Sequence, residues 1–242
     1  MMSNVWQSIV GPRAPAEVDE EKRLDYRLPS IFLGLAALSL IISIFLPYWN
    51  LTLEAPQYPK GLHVQTYVNR LEGDVREIDG LNHYIGMRPL EEAAQLERSL
   101  SIILIIVTAL LVVAAIFIHT KFVVLLALPA LLYPIVFVAD MYFWLRNFGQ
   151  NLDPTAALSN YIEPFVPTLL GKGLIGQFKT ISSFGIGFYL ACLASVLILV
   201  GLYFHRRAYK PLVDAAQEEG QGLGAPNLEG QDPGSSEATG KD

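Results

Sequence analysis

Four long apolar runs, separated by polar stretches, set the pattern of this chain. They extend from Ile31 to Trp49, Leu100 to Ile118, Phe122 to Ala139 and Phe184 to Phe204, and none carries a Lys, Arg, Asp or Glu. A bilayer core about 30 Å thick is crossed by about 20 apolar residues in a helix. Lipid offers the backbone no hydrogen-bond partner, so each run predicts a membrane-crossing helix; closed barrels need alternating strands, which continuous runs do not supply. The expected fold is therefore an all-α polytopic membrane protein with transmembrane helices at 29–49, 100–118, 122–145 and 184–205. The first is not read as a cleavable signal, because a polar stretch precedes it and its exit, Leu46-Pro47-Tyr48-Trp49, lacks small residues at a cleavage position.

Flanking charge orients the spans. Lys22, Arg23 and Arg27 precede the first, and Arg206, Arg207 and Lys210 follow the fourth. The positive-inside rule then places both termini of this multi-pass chain in the cytoplasm, with Lys121 in an inside turn. Residues 50–99 also carry five cations, Lys60, Arg70, Arg76, Arg88 and Arg98, so this orientation rests on charge density at the flanks. Tyr48 and Trp49, with Tyr142 and Trp144, read as aromatic belts on the outer side. Pro129 and Pro134 are expected to kink the third helix. Residues 1–28, with an acidic cluster at 17–21, read as a cytoplasmic tail, and 206–242, rich in Gly, Glu, Asp, Ser and Pro towards its end, as a disordered one.

Two segments, 50–99 and 146–183, remain outside the membrane. Leu62, Val64, Thr66 and Val68 alternate with His63, Gln65, Tyr67 and Asn69, which predicts an exposed strand. A second strand is expected around Val75 to Ile78, with Leu71-Glu72-Gly73-Asp74 as the turn. This makes a small extracytoplasmic β-element between helices 1 and 2. Pro89 is expected to open a helix running straight into the second span. In the other segment, Pro164, Pro167 and the glycines between 171 and 176 preclude a regular spanning helix, so 146–183 reads as an apolar interfacial or re-entrant loop.

Composition agrees with a membrane protein: 52% of the 242 residues are hydrophobic and 17% charged, with a mean hydropathy of +0.38. A net charge of −6 provides no basic field for nucleic acid. The single cysteine, Cys192, cannot form an intramolecular disulfide, a CxxC pair or a thiolate zinc site. Gly171-Lys172-Gly173 lacks the Walker spacing, and neither a nucleophile elbow nor HExxH occurs, so the reading is non-enzymatic.

The most distinctive string is Leu81-Asn82-His83-Tyr84-Ile85-Gly86-Met87. Imidazole and thioether together suit Cu(I), and a spacing of four would bring His83 and Met87 onto one face of a helical turn. His63 is a candidate third ligand, better matched to Cu(I) than Glu91 or Glu92. The alternative is that His83 packs a turn and Met87 inserts at the membrane interface. Asp140, at the outer end of the third span, is either functional or a membrane-edge carboxylate paired with Arg146 or hydrated. His119 and His205, at the cytoplasmic ends of two spans, offer a pair for haem or a quinone-linked electron-transfer role, or are hydrated termini.

Together with Tyr58-Pro59-Lys60-Gly61-Leu62, Leu71-Glu72-Gly73-Asp74-Val75 and Pro164-Phe165-Val166-Pro167, that string resembles a group of bacterial membrane proteins associated with nitrous oxide reductase maturation and copper handling. The similarity spans roughly residues 45–190. It implies extracytoplasmic copper chemistry with His83 and Met87 at the matching positions, and a periplasmic or membrane copper protein as partner. Soluble copper chaperones of that pathway use a Cys, whereas Cys192 lies inside the fourth span, so any site here is thiolate-free. The expected function is a copper-handling or chaperone-like accessory protein, with a non-enzymatic scaffold or complex subunit as the alternative.

Overall fold

The computed structural model describes Val10 and residues 20–158, 161–175 and 178–222. In chain order the elements are α1 (Glu20–Ser43), β1 (Trp49–Ala55), β2 (Tyr58–Thr66), β3 (Leu71–Gly73), α2 (Val75–Ile85), a 3-10 turn (Leu90–Glu92), α3 (Gln95–Ala115), α4 (Phe122–Gln150), β4 (Gly171–Ile175), β5 (Phe178–Phe184) and α5 (Ile186–Gly222). Four helices, α1, α3, α4 and α5, are long and apolar enough to cross a membrane. Their length and composition are those of a multi-pass membrane protein.

The four helices close around small side chains. Ala36, Ala37, Ala109, Ala115, Ala127, Ala130, Ala191 and Ala194 are all buried in the bundle core, with Leu33, Leu40, Ile105 and Ile198 filling the spaces between them. Lipid is as apolar as leucine, so close backbone approach over small residues is what holds such helices together. One polar tie crosses α1 and α5, where Ser39 Oγ donates to Leu190 O at 2.9 Å.

Both ends of the helical pattern differ from expectation. α1 stops at Ser43, before Leu46-Pro47, and hands over to strand at Trp49. Tyr48 and Trp49 are therefore not a lipid-facing belt: Tyr48 is fully buried and Trp49 nearly so, with Trp49 Nε1 donating to Leu169 O at 2.7 Å. At the other end α5 continues through the predicted tail to Gly222, because Val213 to Glu219 are helix-compatible and the first glycine comes only at 220. Glu17 and Asp19 of the acidic cluster, and everything after 222, lie outside the described residues.

The β-element is larger than the sequence suggests and is not confined to one segment. A five-stranded antiparallel sheet runs in the order β3-β2-β1-β5-β4, so the 146–183 segment is not a re-entrant loop but supplies two of its strands. β1 pairs with β5 from Trp49↔Phe184 to Glu54↔Lys179. β4 pairs with β5 from Gly171↔Ser182 to Ile175↔Phe178. Residues 71–73 are themselves a strand, and Val75 to Ile85 is a helix. Val75, Ile78, Asn82 and Ile85 are its buried positions, a helical spacing that a short look at period two misses. This face covers Leu53, Ala55, Leu62 and Val64 of the sheet.

Sheet and bundle are joined at one place by hydrogen bonds. Tyr48 N–H donates to Thr66 O at 2.8 Å, Gly185 N–H to Tyr48 O at 2.8 Å and Gly187 N–H to Pro47 O at 2.9 Å. The expected straight helix from Pro89 into the second span is instead broken: Ala94 holds a left-handed φ of 51° between the 3-10 turn and α3.

Candidate functional site

The Leu81–Met87 string is the C-terminal cap of α2. Gly86 adopts φ 79°, its N–H donates to His83 O at 3.4 Å, and Met87 N–H reaches back to Asn82 O at 2.9 Å. This is the Schellman arrangement, which needs a left-handed residue that glycine supplies without a Cβ penalty. The chain reversal at Gly86 undoes the one-face relation expected of an i, i+4 pair. His83 stays exposed, while Met87 is buried with Ile85 and Phe148.

The loop after α4 fastens this cap. Asp153 N–H donates to Gly86 O at 2.7 Å and Leu158 N–H to Tyr84 O at 2.9 Å. Thr155 donates to Asp153 through its hydroxyl at 2.7 Å and its N–H at 2.8 Å. These bonds, with a smaller contribution from nearby His83, hold the Asp153 carboxyl below the usual carboxylate range.

His63 is not brought to His83 and Met87. Leu62 and Val64 point to the sheet face covered by α2, so His63 between them points to the opposite, open face, where Nδ1 lies 3.0 Å from Thr52 Oγ1. Glu91 and Glu92 are exposed on the 3-10 turn. Among the described residues, no three His, Cys, Asp or Glu side chains gather as a metal site would require.

His119 and His205 do come together at the other end of the bundle, with near-parallel rings 6.0 Å apart. Tyr209 packs against both, at 4.1 and 4.9 Å. His205 Nε2 lies 2.9 Å from Ile118 O, an acceptor only, so this nitrogen carries the proton.

The feature the sequence did not disclose is a cavity of about 610 Å³ between α3 and α4, roofed by Trp49 and Val64 of the sheet. Leu100, Leu104, Leu132 and Val136 line its walls while remaining 41–59% exposed, so it opens sideways. Its sheet-side end holds Glu97, Arg98, Asp140 and Trp144. Arg98 Nε is buried there without an acceptor among the described residues, whereas the Trp144 indole N–H is set against the Asp140 carboxylate one turn away on α4. Asp140 thus sits at the cavity rim, and no ion pair joins it to Arg146 among the described residues. The available signal was positional: Glu97-Arg98 and Asp140 cap the same end of two antiparallel apolar runs.

No protein-family model matches the chain, and no curated protein matches its sequence.

Proposed function

We propose that this protein is a non-enzymatic membrane accessory protein, whose helices anchor its sheet as a docking platform for an extracytoplasmic partner. The observation that carries this reading is β4. It is an edge strand of the sheet, and it bears Leu174 at 77% exposure next to Leu170 at 57%. Edge strands offer unpaired backbone groups, and proteins usually blunt them with charge or cover them. Lys172 is the one charge on this edge, and the exposed Leu170 and Leu174 on either side of it fit a partner that adds a strand or packs on the side chains. The hydrogen-bonded joint at Tyr48, Gly185 and Gly187 would hold that platform at a fixed height above the bilayer.

The resemblance of the Leu81–Met87 string supplies the partner's chemistry: a periplasmic or membrane copper protein, engaged as nitrous oxide reductase matures. Direct Cu(I) binding is the second reading. What favours it is the exposed ring of His83 at the platform's surface, with Met87 available only if the Gly86 cap opens.

The test places a photo-crosslinking amino acid at Leu174 in the native membrane. A discrete adduct with one extracytoplasmic protein, lost in Leu174→Asp, is the expected result; adducts with lipid alone would overturn the platform. An anaerobic Cu(I) competition titration of wild type beside His83→Ala/Met87→Ala decides the second reading, with binding lost in a folded double mutant supporting it.

A further inference from the structure

We propose that the free edge of β4 takes an extended segment of the partner as a sixth strand, and that this segment carries an acidic side chain opposite Lys172. The inference rests on the docking reading above and names the chemistry of what docks.

Backbone bonding leaves the edge open. Only two residues separate Ile175 from Phe178, so this closing pair exchanges its N–H and C=O bonds directly. Bonding alternates from there: Gly173 and Gly171 also turn their backbone groups to β5, while Leu174 and Lys172 turn theirs outward. The same alternation turns odd-numbered residues from 179 onward towards β1, and Gly185 N–H accordingly donates to Tyr48 O at 2.8 Å. No backbone partner meets the outward groups of Lys172 and Leu174 among the described residues. Alternate residues with N–H and C=O both turned outward are the repeat that an added strand pairs with.

Side chains select which strand. Cross-strand partners share a face, so Lys172 stands in one row with Ile181, Thr52 and His63, on the face that α2 leaves open. Lys179, on the neighbouring strand, has its ammonium paired with Glu54 Oε2 at 2.8 Å. Lys172 is exposed and has no carboxylate within ion-pair distance among the described residues. A partner resting only on Leu170 and Leu174 would take water from the ammonium between them and give no anion back, which costs free energy. An Asp or Glu on the incoming strand opposite Lys172, with an apolar residue two positions along against Leu174, satisfies both. β4 itself, Gly-Lys-Gly-Leu-Ile, carries no acid. A second copy pairing this edge with its own would therefore leave both lysines without an anion, so the lysine selects against self-association.

The experiment uses the full chain in its native membrane, with the photo-crosslinking amino acid at Leu174, and varies Lys172. The Lys172 N–H points away from β5, so Lys172→Pro keeps the β4–β5 pairing while removing the outward donor, as edge positions tolerate. Lys172→Ala keeps the donor and removes the charge. The protein adduct is expected to fall several-fold in Lys172→Ala and to vanish in Lys172→Pro and Lys172→Glu. Changing the acidic residue of the crosslinked partner segment to Lys should restore it in Lys172→Glu. Equal adduct in Lys172→Pro and Lys172→Ala would overturn strand addition and leave docking through side chains standing. An adduct undiminished in Lys172→Glu, a crosslinked segment without an acidic residue, or an adduct between two copies of this chain would also overturn the proposal. Adducts with lipid alone would remove the docking reading itself. Thermal unfolding in detergent checks that each variant is folded; if Lys172→Pro melts early, the charge reversal and its rescue decide alone.

Discussion

Gly185 lies against the carbonyl of Pro47, with its own N–H donating to Tyr48 O at 2.8 Å. This contact is where the chain's exit from the sheet crosses its entrance, and a Cβ on residue 185 would run into backbone that cannot yield cheaply. Gly185→Ala is therefore expected to destabilise the protein by about 1–3 kcal/mol, the usual cost of overpacking. Gly34→Ala, on α1 with open space around its missing Cβ, should be neutral or stabilise by up to about 1 kcal/mol through helix propensity. Thermal unfolding in detergent separates the two, and equal effects would mean that the joint is not rigid.

The α2 cap makes a second, graded prediction. Gly86→Ala meets both a left-handed φ of 79° and Asp153 O at 2.5 Å from the new Cβ, so it should cost more than the 1–2 kcal/mol of strain alone. Met87→Ala removes a buried side chain packed with Phe148 and should cost about 2–5 kcal/mol. His83→Ala, on the exposed side of the same turn, should stay within about 0.5 kcal/mol. Denaturant midpoints in the absence of copper give the order, and a large His83 effect there would point to a structural role.

The contrast between His83 and Met87 also shows what the sequence could and could not disclose. Uncharged length near 20 residues is a strong local signal, and each of the four runs contributes a long apolar helix, although the first run leaves its helix at Ser43 and the fourth begins in strand at Phe184. The β2 alternation is likewise local and holds over its pairing with β1. By contrast, the β1–β5 partnership joins residues such as Asn50 and Ser183, whose association no window along the chain can reveal. Met87 turned inward because of one left-handed glycine. The rim of the groove depends on α3 and α4 lying side by side, so Arg98 reaches the end that holds Asp140 and Trp144 only in three dimensions.

Tyr48 is the polar point of the bundle core. Ser43 Oγ donates its one proton to Leu40 O at 2.6 Å, so the Tyr48 hydroxyl is the donor in its 2.7 Å bond to Ser43 Oγ. Tyr48→Phe leaves Ser43 with its carbonyl partner but takes the Tyr48 oxygen from the Tyr133 hydroxyl, so it should cost about 1–3 kcal/mol. Tyr48→Ala also removes a ring packed against Tyr133 and Phe137, at 6.1 and 5.0 Å, and should cost about 3–5 kcal/mol, by analogy with aromatic truncations. Similar losses for the two variants would place the energy in the hydroxyl and contradict this account.

Asp79 provides a pH signature. Its Oδ1 accepts from Leu90 N–H at 2.7 Å, tying α2 to the 3-10 turn. Burial raises its pKa above the ordinary 3.8, helped by the charges of Glu91 and Glu92 and opposed by the Leu90 bond. A carboxyl raised on folding stays protonated longer in the folded state, so its effect vanishes below about pH 4 and it destabilises as pH rises through the raised value. Glu72 and Asp153 run the other way, because hydrogen bonds from Arg70 and Thr155 lower theirs. The informative quantity is therefore the difference between variant and wild type at each pH. Asp79→Asn keeps an oxygen for Leu90 N–H and cannot ionise, so it should match wild type near pH 3 and exceed it at pH 7. Asp79→Ala should lie about 1 kcal/mol below Asp79→Asn at every pH, through loss of the Leu90 bond. Thermal melts of the three proteins from pH 3 to 7 check both statements. Parallel curves for wild type and Asp79→Asn would show that burial of this carboxyl does not couple to folding.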